Sequence, residues 1–112
     1  MSVSFNGFNE NTATFRAEGE IAGGTPVRMH ETDTVTAAVN GEVFCGIAVD
    51  CDGSYAAVQL SGAVRAKFSG DVPGVGYSKL VSDGEGVTVS DSGREYLVVA
   101  VDEASSMVTF IM

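Results

Sequence analysis

The chain has 112 residues, the length of one domain, and a formal net charge of −9 from 15 acidic and 6 basic residues. That balance excludes a nucleic-acid backbone or an anionic membrane surface as partner, because both need a basic footprint. A chain this short buries roughly 65% of its unfolded surface, which supplies one core but not a deep, enclosed active site as well.

The composition favours strands over helices. Leu is confined to Leu60, Leu80 and Leu97, whereas Val, Thr and Ala are abundant and 14 Gly punctuate the chain. No run approaches the roughly 18 apolar residues of a membrane span. Residues 1–10 lack the basic start and apolar run of a signal peptide, so synthesis inside the cell is expected. Cys45 and Cys51 are expected as reduced thiols. With a single His they cannot build a four-ligand zinc site in one chain, and neither a metal nor a cofactor is expected.

In chain order, residues 1–13 are polar and Asn-rich with Phe5 and Phe8 set in them. They read as an extended arm whose aromatic rings need a partner, or as an edge strand. Ala13, Phe15 and Ala17 then alternate with Thr14, Arg16 and Glu18, the period of a half-buried strand. A turn over 21–24, a short strand over 26–29 and a strand over 34–39 follow, the last with Val35, Ala37 and Val39 on one face. Asn40-Gly41 marks a tight turn. Residues 43–49 are continuously apolar, as for a strand buried on both faces. With a turn at Asp50-Cys51-Asp52-Gly53, residues 43–61 read as a hairpin.

Gly62 separates two strand-like runs and marks a corner. Beyond it, Val64, Ala66 and Phe68 oppose Arg65 and Lys67. Residues 69–76 form a Gly/Pro loop in which Val72, Pro73 and Val75 are candidate contact residues. Strands over 77–81, 86–90, 95–101 and 107–112 complete the set. The fold expected is all-β: a compact small barrel or sandwich of about nine or ten short strands, one domain over 14–112, with no internal repeat and no linker.

The candidate chemical motifs each fail. His30-Glu31-Thr32-Asp33 joins an imidazole to two carboxylates, but no G-x-S-x-G nucleophile elbow exists to use it. Asp50-Cys51-Asp52-Gly53 starts like a calcium loop, yet Ser61 stands where a bidentate Glu would close it. Residues 70–79 lack the spacing of a phosphate-binding loop. No catalytic residue is assigned, and an enzyme is not expected. Residues 43–49 and 96–101 carry more apolar surface than one small core needs, which points to a second layer or a subunit interface.

The order of these pieces resembles the small head-decoration, or capsid-cement, proteins of tailed bacteriophages and prophages. The resemblance runs from about Gly19 to Met112. It rests on Ile21-Ala22-Gly23-Gly24-Thr25-Pro26-Val27, on the 43–49 run with Gly46, and on Ala57-Val58-Gln59-Leu60-Ser61-Gly62-Ala63-Val64. The Gly-rich loop, Asp83-Gly84 and the terminal apolar strand follow in the same order. The resemblance implies a structural protein made in the bacterial host cytoplasm and placed on the virion's capsid surface. Its partners would be further copies of itself, a homotrimer above all, and the major capsid protein, gripped in part by the arm. The alternative is a stand-alone ligand-binding or adaptor β-barrel without catalysis.

Overall fold

The computed structural model describes residues 11–112, so Phe5 and Phe8 lie outside the described residues. The described residues form ten strands and no helix. They are β1 (Asn11–Glu18), β2 (Pro26–Glu31), β3 (Thr34–Ala37), β4 (Gly46–Asp52), β5 (Tyr55–Ser61), β6 (Ala63–Ser69), β7 (Gly76–Ser82), β8 (Val87–Val89), β9 (Arg94–Asp102) and β10 (Met107–Ile111). The all-β expectation holds.

The strands close into two barrels of five. Barrel 1 runs β1-β3-β2-β4-β5 and barrel 2 runs β6-β8-β7-β9-β10, each last strand pairing with the first. Closure removes free sheet edges, which would otherwise template aggregation. Each barrel holds one parallel pair, β1 with β3 and β6 with β8, the intervening strand serving as the crossover.

The two strand orders are identical when β1 to β5 are laid on β6 to β10, so the fold is an internal repeat that the sequence reading missed. The likeness extends to single residues. In both closing hairpins the register shifts after three pairs from the loop, at Val49 in β4 and at Val99 in β9. Thr36 Oγ1 donates to the Glu18 carbonyl at 3.1 Å, and its counterpart Thr88 Oγ1 donates to the Ser69 carbonyl at 2.9 Å. Gly19 and Gly70, each next in sequence, have φ of 78° and 72°. Buried Val35, Ala48, Ala56 and Val58 correspond to buried Val87, Val98, Val108 and Phe110. One register differs: relative to β2 and β3, β7 slips two residues between its two neighbours.

Each barrel encloses a core cluster. Ile21, Val27, Val35, Ala48, Ala56 and Val58 fill barrel 1. The larger cluster of barrel 2 also takes in Ala38, Phe44 and Ile47 from the first half of the chain. Phe44 stacks on Tyr96 with ring centroids 5.5 Å apart and meets Phe110 edge-on at 6.4 Å. The segment around it, 38–45, is clamped to β7. Gly41 N donates to the Ser82 carbonyl, Ser82 N to the Glu42 carbonyl, and Ser82 Oγ to the Ala38 carbonyl. Glu42 steadies the same segment by accepting from Val39 N and pairing with Arg28 at 3.0 Å. The 14–112 region is therefore two barrels joined by a shared core.

This arrangement corrects several sequence expectations. The apolar run 43–49 is not one strand. Its first half is a plug for barrel 2, and β4 begins only at Gly46 and ends at Asp52. The run is apolar because Phe44 and Ile47 serve one core while Ala48 serves the other. Val49 is exposed at the bulge. Val39 is exposed too, since β3 stops at Ala37 and the chain turns through Gly41 with φ of 90°. Asn11 to Ala13, placed in the arm, open β1 instead, because β5 offers them partners at Ser61, Gln59 and Val58. Gly62, with φ of 95°, is the expected corner, and it passes the chain from one barrel to the other.

Candidate functional site

The residues singled out for chemistry are not gathered into a site. His30, Glu31, Thr32 and Asp33 form the exposed tip of the β2–β3 hairpin, where His30 sits at a bulge. Asp33 holds the turn with φ of 58° and its carbonyl accepts from Arg16 N. Asp50 to Gly53 form the tip of the β4–β5 hairpin. Among the described residues no group of three or more His, Cys, Asp or Glu is placed to hold a metal. Both cysteines are free and half-buried beside the barrel 1 core. Burial pushes both thiols above their ordinary range, and the Asp50 charge adds to this at Cys51.

Two open surface clefts stand out. One, of about 370 Å³, lies between Ala17, Ile21 and Cys51. The other, of about 420 Å³, lies where the 22–25 loop of barrel 1 meets Arg65 and Lys67 of barrel 2. Both open to solvent and neither is an enclosed apolar chamber.

The outer surface is more distinctive. Of the three loop residues expected to make contact, Val72 and Val75 are exposed, Val75 at 74%. Pro73, between them in sequence, is buried. Tyr77, two residues along, is 71% exposed. Its strand partner is Leu97, whose own partner on the far side is Ile111. These side chains form an outward row across β7, β9 and β10, with Leu97 and Ile111 half-buried.

The row follows from strand alternation. Tyr96, Val98 and Phe110 point into the barrel and are buried, so Leu97 and Ile111 point out. Sequence reasoning found the signal, an apolar run over 96–101, without placing it beside Tyr77 or Ile111. A second set of exposed apolar residues, Val49 and Tyr55, lies on the β4–β5 hairpin of barrel 1.

Comparison with protein-family models, with curated proteins and with solved structures finds no match to this chain.

Proposed function

We propose that the chain is a structural head-decoration protein of a tailed bacteriophage or prophage, which binds the outer surface of the capsid and stabilises it as an oligomer, with a trimer favoured. The observation that carries this reading is the exposed apolar wall of barrel 2, where the 72–75 valines and Tyr77 stand on a strongly acidic chain. Small soluble domains rarely leave aromatic and aliphatic side chains this open unless a protein partner covers them. The order of sequence pieces shared with capsid-cement proteins supplies the partner class.

Closed barrels with short loops suit such a role. They offer rigid walls to neighbouring subunits and no free edges. The ligand-binding alternative calls for an enclosed apolar pocket with a few convergent polar groups, and the two clefts are open.

The test is addition of the purified chain to capsids that lack their decoration protein. Co-sedimentation at a fixed stoichiometry, with a raised capsid disruption temperature, is the expected result. A chain that stays in the supernatant and leaves capsid stability unchanged ends this reading.

A further inference from the structure

The two barrels carry equivalent outward rows, and among the described residues only one of the two is covered. In barrel 1 the row crosses β2, β4 and β5 at Pro26, Ile47 and Gln59. All three are buried. Ile47 packs into the barrel 2 core, and Gln59 Nε2 donates to the Ala63 carbonyl at 2.9 Å, at the start of β6. Barrel 1 thus turns this row towards barrel 2.

The strand repeat places Tyr77, Leu97 and Ile111 at the equivalent positions of barrel 2. Among the described residues nothing comparable covers them, yet they are aromatic or aliphatic, and Tyr77 is 71% exposed. Val75, 74% exposed, extends the apolar surface on one side of the row. Lys79 and Glu95 are the next outward positions of β7 and β9, and Arg65 and Lys67 are outward positions of the adjoining β6, all exposed.

We propose that the Tyr77–Leu97–Ile111 row is a self-association surface, covered by a second copy of this chain. Two observations name the occupant. What covers the equivalent row in barrel 1 is a barrel of this same topology, and another copy is the source of a further one. In addition, Arg65, Lys67 and Lys79 are three of the six basic residues, on a chain of net charge −9. Gathered around the row, they complement an acidic body such as a second copy. A row of one copy that meets a different face of the next is a heterologous contact, which closes into a ring when the rotation allows. The inference deepens the decoration reading and rests on its oligomeric part.

The experiment is sedimentation velocity on the full chain and on Tyr77→Asp, Ile111→Lys and a control, Tyr55→Asp, on the other barrel, with circular dichroism to confirm folding. Wild type and the control are expected to sediment as oligomers. The two row variants are expected to sediment as single chains, with assembly displaced about tenfold or more in concentration. If Ile111→Lys does not fold, Tyr77→Asp decides, since its ring is mostly in solvent. Oligomers that survive Tyr77→Asp overturn the proposal. If wild type is monomeric in solution, cross-linking on the capsid decides. Multimers lost in Tyr77→Asp support the surface, and their absence in wild type overturns it. Row-dependent oligomers that ignore capsids would retain this surface and end the decoration reading. Capsid binding by single chains would do the reverse.

Discussion

Gly46 and Tyr96 occupy equivalent positions in the two barrels and could hardly differ more in size. A Cβ on Gly46 would lie 2.5 Å from the Gln59 carbonyl oxygen and 2.6 Å from Val58 Cγ1, so barrel 1 has no room for a side chain there. Gly46→Ala is therefore expected to destabilise the fold by about 1–3 kcal/mol through overpacking, read as a lower urea midpoint at unchanged slope. Asp83 acts at the same scale on the surface. Its partial burial alone would raise the carboxyl's pKa, but the Ser69 hydroxyl at 2.6 Å and the amides of Gly86 and Glu85 outweigh that and hold it below the ordinary range. A group whose folded pKa lies below its unfolded one stabilises fully above the unfolded value and loses that contribution as pH falls through the folded one. Asp83→Ala should thus cost about 1 kcal/mol at neutral pH, and the gap to wild type should close below about pH 4 in urea titrations.

At the scale of elements, the segment 38–45 and strand β7 depend on one small hydroxyl. Ser82 is fully buried, donates to the Ala38 carbonyl at 2.8 Å and accepts from Gly84 N at 3.0 Å. Ser82→Ala strands both partners and should cost about 1–3 kcal/mol, measured by thermal or urea unfolding. The strands themselves were legible in the sequence wherever one face is core and the other solvent. Residues 13–17 and 64–68 alternate with a period of two because each barrel wall has an inside and an outside. Legibility failed where that rule is suspended. Residues 43–49 face two cores and read as a doubly buried strand, although half of the run is a plug. The row at Tyr77, Leu97 and Ile111 was not legible as a site, because its members lie on three strands brought together only by register. The repeat was hidden by loops of unequal length: the β4–β5 turn spans two residues and the β9–β10 turn four. One trace of it survives in sequence, Gly19-Glu20-Ile21-Ala22-Gly23 against Gly70-Asp71-Val72-Pro73-Gly74.

For the whole molecule, the question is whether two barrels of one topology unfold as two units or one. Barrel 2 is the better filled. Where barrel 1 has Ala48, Ala56 and Val58, it has Val98, Val108 and Phe110, and among the described residues it alone receives an aromatic ring from its neighbour. That ring, Phe44, belongs by sequence to the first half of the chain, and Ala38 and Ile47 go with it. Opening barrel 2 exposes all three, and opening barrel 1 withdraws the segment that plugs barrel 2. Neither barrel can open without a cost to the other, so one cooperative unit is expected. Phe44→Ala removes a fully buried ring and should cost about 3–5 kcal/mol. In a single unit, amide-exchange protection falls by the same free energy in β4 and β5 as in β9 and β10. Loss of protection confined to β9 and β10, with β4 and β5 as in wild type, would mean that the barrels are energetically separate and that the shared core is contact without coupling.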